Sequence, residues 1–308
     1  MSLAPEIKAF LEASAAAALP QVWEAPLDVI RANTHSRPAL AGPVEPVREI
    51  INRFIPGPTA DLPIRIYRPT DSRSAQTIIY FHGGGWVLNF LDIYDASLSR
   101  LANQSGATII SVNYQKAPEH PFPIPFNDCY ATLLWVISHA AELMVDTENL
   151  GVAGDSAGAN LAAAVALKAR DQGIALAFQI LIYPCNDRNF KTDSYINNAT
   201  GYGLSTQGMK WFWEQYLQGT EHDSNPYAIP ARAGSFKGLA PAIIVTAQYD
   251  PLLSDGENYA ELLRRDGVSV SYQCYEGMIH GFFTNLAVTP TARETIDQVA
   301  QTLKLIKQ

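Results

Sequence analysis

From about residue 60 onward the chain repeats one alternation: a short apolar run rich in β-branched residues, then an amphipathic segment of helical length. Parallel strands cannot be joined by tight turns and need crossovers of a dozen residues or more, which helices supply. The alternation therefore restricts the chain to an α/β fold, a mostly parallel central sheet flanked by helices. The runs TIIYF (77–81), ATIISVNY (107–114), LGVAG (150–154), FQILIYP (178–184), AIIVTAQYD (242–250) and VSVSYQCYE (268–276) read as strands. Helices are expected over roughly 92–105, 126–142, 158–171, 254–266 and 291–306. In the fourth, Tyr259, Leu262 and Leu263 share one face and Arg264 and Arg265 turn away from it. Upstream, REIINRFI (48–55) and LPIRIYRP (62–69), joined by the turn PGPT, read as an antiparallel pair that opens the sheet.

Two segments break the alternation. Residues 1 to about 45 are helical and then Pro-rich, and residues 186–230 interrupt the strand series with the aromatic helix MKWFWEQYL. Both read as a helical cap over the C-terminal edge of the sheet, the edge at which α/β sheets hold ligands. Hydrophobic residues are 47% of the 308 and charged residues 17%, which suits one large domain spanning 1–308. A net charge of −8 with no basic run excludes nucleic acid as a partner, since that binding depends on Lys and Arg neutralising phosphates. No run reaches the ~18 apolar residues of a membrane span. Glu6 and Glu12 interrupt FLEASAAAALP, so it reads as a surface or cap helix and not as a secretory leader. Cys129, Cys185 and Cys274 are odd in number and widely spaced, which fits neither a disulfide framework nor a zinc pattern. They read as small core fillers in a cytoplasmic, reducing setting.

Within this frame Ser156 stands out, in GVAGDSAGAN (151–160). The spacing G-x-S-x-G arises by chance in about one chain of this length in ten, so it decides nothing alone. Its context is more specific, because a strand runs straight into a helix at the serine. That is where a strained turn lifts a nucleophilic hydroxyl above the sheet, with glycines where a Cβ would collide with the neighbouring elements. A serine N-cap is the plain structural alternative. A nucleophilic serine needs a base, and the base needs a group to orient it. In α/β hydrolases acid and base follow the serine in that order, which leaves His222 and His280. His222 lies in the polar GTEHDSNP, whereas His280 follows the last strand and Asp250 ends the strand before it.

FHGGGW (81–86) also follows a strand directly, and by average composition it is expected in roughly one chain in several hundred. Three glycines leave backbone N–H groups uncovered, which suits an oxyanion. There is no Lys-Ser/Thr pair of a phosphate loop and no G-x-G-x-x-G.

Taken in order, HGGGW, NYQKAPEHPFP, GDSAGAN, YDP and MIHGF resemble the motifs of the hormone-sensitive-lipase-like branch of the α/β hydrolases, the bacterial carboxylesterases above all, over roughly residues 60–290. The resemblance implies an α/β-hydrolase fold with a helical cap and hydrolysis of carboxylic esters through an acyl-enzyme, with no cofactor and no metal. It assigns Ser156 as nucleophile, His280 as base and Asp250 as the acid that orients it. The oxyanion donors would be the N–H groups of Gly84, Gly85 and Ala157, and His82 would help to hold the glycine loop. This sequence departs from the family pattern at Asn113, Gln115 and Ser254, where aspartate, arginine and an acidic residue are frequent, and at Ala159, where glycine is common.

Of the aromatics Trp86, Trp211, Phe212, Trp213, Phe282 and Phe283, the substrate pocket is expected to use Trp86, Trp211 and Phe282. Such bulk suggests short to medium acyl chains. The expected partner is a small-molecule ester, and the strand at 268–276 could pair with its copy in a homodimer. An amidase or deacetylase with the same three residues stays open, as does a ligand-binding relative that has lost catalysis.

Overall fold

A computed structural model of the protein describes residues 2–71 and 75–306. Among them one eight-stranded sheet runs in the order β1-β2-β4-β3-β5-β6-β7-β8. The strands are β1 (Glu49–Pro56), β2 (Asp61–Arg68), β3 (Thr77–Phe81), β4 (Thr108–Val112), β5 (Leu150–Asp155), β6 (Gln179–Ile182), β7 (Ala242–Tyr249) and β8 (Val270–Ile279). Only β2 runs against its neighbours, pairing antiparallel with β1 and with β4. All other pairings are parallel. The chain steps from β3 to β4 and then crosses back over β3 to β5, so the order reverses there. Open parallel sheets bind ligands at such a reversal, outside the strand ends. Phe81 is in register with Gly154, which brings the loop after β3 beside the turn after β5.

Side chains alternate across the strands and feed two cores. On one face Ile79, Phe81, Val152, Leu181 and Ile244 pack beneath the helices Ile124–Ser138, Ala157–Asp171 and Leu253–Arg265. On the other, Ile78, Tyr80, Ala153, Ile180 and Val245 pack beneath Asp95–Ser105 and Pro290–Leu305.

Local departures from expectation have visible causes. The helix expected over 126–142 is divided at His139, where the backbone leaves helical values, into Ile124–Ser138 and Ala140–Leu143. The strand expected over 178–184 stops at Ile182, because Tyr183 turns to φ +36°. The last strand runs on to Ile279, since Gly277 at φ +72° is absorbed at an irregularity opposite β7, where its N–H donates to Gln248 Oε1 at 2.8 Å. Cys129 and Cys185 are buried as expected of core fillers, whereas Cys274 lies half-buried on the edge strand β8.

The two segments outside the alternation hold helices at Pro5–Ala16, Leu27–Asn33, Pro38–Ala41, Asp193–Asn197 and Thr206–Leu217. They touch one another, with Trp23 close to Gly208 and Leu11 close to Gly203. They also touch the loops at the C-terminal edge, through Arg31 to the carbonyls of Val87 and Ala117 and through Ala4 N–H to Gly277 O. Buried Asn160, on the helix after β5, donates from one amide nitrogen to both Cys185 O and Ala228 O at 3.1 Å.

Candidate active site

Backbone packing fixes the turn at Ser156. The residue adopts φ +55°, ψ −121°, and its N–H donates to Ile182 O at 2.8 Å. A Cβ on Gly154 would lie 2.3 Å from the Gly158 backbone, and one on Gly158 would lie 1.9 Å from Phe81 O. No side chain fits either gap, so strand, turn and helix close on each other only with glycine at both positions. An N-cap role does not account for the serine, whose side chain makes no capping bond.

Ser156 Oγ instead meets His280 Nε2 at 2.9 Å, and His280 Nδ1 meets Asp250 Oδ2 at 2.7 Å. Asp250 follows β7 and His280 follows β8, so adjacent parallel strands deliver both to the edge that presents Ser156. The Asp250 side chain is fully buried, and its second oxygen accepts from Leu252 N–H at 2.9 Å. His280 also packs against the Tyr183 ring, 4.5 Å between centroids. With Asp250 accepting from Nδ1–H, the imidazole offers Nε2 as a free base toward the hydroxyl. The insertion props this arrangement. Asn198 Nδ2 donates to Asp250 O at 3.1 Å, Ser194 Oγ donates to Pro251 O at 2.6 Å, and Ser254 N–H donates to Ser194 Oγ at 3.1 Å. His222 stays apart, beside Glu221 and Phe122.

The glycine loop lies beside the serine turn, its Gly83 N–H donating to Asp155. Gly84 and Gly85 sit at φ +117° and +61°. Among the described residues nothing accepts from the N–H groups of Gly84, Gly85 or Ala157, which leaves three donors unspent around the serine turn. His82 is fully buried, stacks on Tyr114 at 4.5 Å and bonds its own loop through Nδ1 to Gly83 O at 2.8 Å. Burial, followed by the Lys116 charge, pushes its pKa down to about 3, so it stays neutral.

Sequence reasoning missed Asp155, the residue before the serine. Its carboxylate accepts from Gly83 N–H at 2.8 Å, Tyr80 Oη at 2.9 Å and Tyr94 Oη at 3.3 Å, tying the glycine loop to β5. Burial pushes its pKa up to about 6 against the opposing effect of those donors. Asn89 completes the tie, donating to Gly83 O at 3.1 Å. In the motif Asp155 occupies a free position, and only its placement at the end of a buried strand hinted at a role. Phe212 was likewise passed over as a pocket residue. It lies so close over the loop that a Cβ on Gly85 would come within 2.1 Å of its ring.

The three expected pocket aromatics are placed differently. Trp86 and Phe282 are fully buried, the former stacked on Tyr216 at 4.2 Å and the latter against Tyr275 at 5.5 Å. Both rings are covered by the residues packed around them. Trp211 is half-buried and meets the Phe212 ring edge-on. Asn113 Oδ1 accepts from Lys116 Nζ at 2.6 Å, and Gln115 N–H donates to the Asp128 carboxylate at 2.9 Å.

A strand-turn-helix serine, a buried carboxylate–imidazole pair and a donor-rich glycine loop at one sheet edge define a hydrolase built for attack on a carbonyl. The chain belongs to the α/β-hydrolase fold family, whose match spans residues 78–284, within its hormone-sensitive-lipase-like branch. An arylesterase of Saccharolobus solfataricus is 32% identical over 305 residues, 99% of each chain. The carboxylesterase NlhH of Mycobacterium tuberculosis is 39% identical over 249 residues, 79% of this chain and 78% of that one. The crystal structure of a thermostable esterase from Pseudomonas putida ECU1011 superposes with a TM-score of 0.95 at 34% identity, covering 100% of this chain and 98% of the other.

Proposed function

We propose that this carboxylic ester hydrolase cleaves short to medium-chain esters through an acyl-enzyme on Ser156. The observation that carries the residue assignment is the unbroken relay from Asp250 Oδ2 to His280 to Ser156 Oγ, at 2.7 and 2.9 Å. In the first half-reaction Ser156 Oγ attacks the ester carbonyl carbon while His280 Nε2 takes the hydroxyl proton. The tetrahedral oxyanion accepts from the N–H groups of Gly84, Gly85 and Ala157. Collapse expels the alcohol, which receives the proton from His280, and leaves an acyl ester on Ser156. Water then attacks with His280 again as base, releasing the acid and restoring the hydroxyl. Asp250 keeps the imidazole in the required tautomer and stabilises its charged form.

Residues 1–45 and 186–230 act as the cap. The contacts of Trp23 and Leu11 with the insertion, and of Phe212 with the glycine loop, support that reading. The Phe212 ring restricts the room over the oxyanion site, which favours short acyl groups. Two fully buried free thiols suit a reducing, cytoplasmic setting. The exposed edge of β8 offers a surface for pairing two copies.

The test is hydrolysis of p-nitrophenyl esters from acetate to palmitate by wild type and Ser156→Ala, with pre-steady-state kinetics. Turnover of the short esters with a burst of p-nitrophenol, and loss of ~10⁴-fold or more in the variant, is the expected result. A variant retaining a tenth of wild-type activity overturns the assignment of Ser156. A wild type that favours palmitate overturns the chain-length reading.

A further inference from the structure

Where the chain leaves the glycine loop, residues 87–90 form one wall of a cavity of about 540 Å³. The residues after β4 and the N-terminal segment around Arg31 close its other sides, and none of Ser156, Asp250 or His280 lines it. Two of its cations differ in how they are compensated. The Arg31 guanidinium is charge-paired, with Glu119 bound through both oxygens at 2.6 and 2.8 Å and the carbonyls of Val87 and Ala117 at 3.1 and 3.0 Å. Lys116 has only neutral acceptors, Asn113 Oδ1 at 2.6 Å and Tyr114 O at 3.2 Å. No carboxylate of the described residues lies within ion-pair distance of it. An ammonium carries three donors, so one N–H of a half-buried lysine remains unused at the cavity wall. Burial, with Arg31 adding to it, draws the Lys116 pKa down to about 8 against the weaker, longer-range pull of Asp128.

With Arg31 and Glu119 paired, Lys116 is the one Lys, Arg, Asp or Glu of the cavity lining without an ion-pair partner among the described residues. That balance matches a monoanion, whereas a phosphate dianion would leave a charge unneutralised. We propose that this cavity is a binding site for a small organic monocarboxylate, one of its oxygens accepting from Lys116 Nζ, separate from the site of ester cleavage. On the ester-hydrolase reading, from which this point follows, the acid released by the reaction is a ligand of this class, and the enzyme itself supplies it. Asn89 lines the cavity and also holds Gly83 O, so an occupant would border the residue that ties down the glycine loop.

The test is isothermal titration of the whole protein with sodium benzoate at pH 7, with p-nitrophenyl acetate hydrolysis assayed on the same samples. Saturable one-to-one binding is expected, weakened about tenfold or more in Lys116→Met, as for loss of a charge-assisted bond, and kept in Lys116→Arg. Both variants should hydrolyse p-nitrophenyl acetate at wild-type rates in the absence of benzoate. Absence of saturable binding to wild type overturns the proposal, as does equal affinity in wild type and Lys116→Met, which would place benzoate elsewhere, or displacement by inorganic phosphate at lower concentration than benzoate. If binding depends on Lys116 but no ester is turned over, the functional reading falls and the carboxylate site stands.

Discussion

Between β3 and β5 the candidate nucleophile is positioned by backbone pressed against backbone, with Gly154 and Gly158 too close to Phe81 and to each other for any side chain. Between β7 and β8 the proposed acid and base are positioned by side chains, on a pair that carries an irregularity and leaves β8 at the sheet edge. The first region is an interior part of the sheet and needs no hydrogen bond from the insertion. The second leans on the insertion through Asn198 and Ser194. The comparison teaches that the same triad combines a part that tolerates almost no substitution sterically with a part that can be weakened one bond at a time.

The largest effect should come from the side-chain half. Asp250→Asn keeps the shape but favours the wrong imidazole tautomer, and turnover of p-nitrophenyl acetate should fall ~10⁴-fold with the melting transition retained. Ester turnover within tenfold of wild type would remove Asp250 from the relay. Next is the backbone half: Gly158→Ala should cost roughly 3 kcal/mol or more of stability, read by urea unfolding. A variant as stable as wild type would show that the elbow has slack and would erase the contrast between the regions.

Asp155 joins the glycine loop to the backbone half and separates its two functions. Asp155→Ala frees Gly83 N–H, and drift of the loop should lower turnover about 10²-fold. Asp155→Asn addresses charge instead. A buried carboxyl raised from 3.8 to about 6 holds its proton more tightly folded than unfolded. Its contribution is therefore fully present below pH ~4 and is lost as pH rises to ~6. Relative to wild type, Asp155→Asn should gain up to about 3 kcal/mol between pH 4 and 7, measured by urea unfolding at each pH. A constant difference across that range would mean that Asp155 titrates alike in both states. The smallest effect belongs to a prop: Ser194→Ala removes the bond to Pro251 O, costing about 1 kcal/mol and changing turnover only a few-fold. A loss above tenfold would show that the insertion sets the acid's position rather than merely bracing it.

What the sequence made legible follows the same division. Ser156, Asp250 and His280 each follow a strand, and an apolar run that stops at a polar residue is visible in one dimension. The ties of Asp155 were not legible because its partners Tyr80, Gly83 and Tyr94 come from a strand, the loop after it and a short helical turn, and nothing in the spacing says that they converge. Phe212 was grouped with its neighbours because helical periodicity shows which residues share a face but not what that face covers. The burial of Trp86 and Phe282 was illegible for a related reason: adjacency in sequence to a reactive loop does not decide which side of the backbone a ring takes, and both rings are fully covered. Strand ends were displaced where a left-handed residue intervened, early at Tyr183 and late past Gly277.

The Asn160 amide has a consequence for how far the insertion can change. One nitrogen grips the carbonyl at which the insertion departs, Cys185 O, and one near its return, Ala228 O. Ala231 N–H donates to Asn186 O at 3.0 Å across the same base, so the excursion is a loop on a narrow stem held both by the scaffold helix and by its own backbone. Changes in its length or sequence leave the distance between β6 and β7 untouched and cost little in chain entropy. The stem lets the rest of the excursion vary, and with it the reach of the binding cleft, so long as Ser194 and Asn198 keep their bonds to the Asp250 turn.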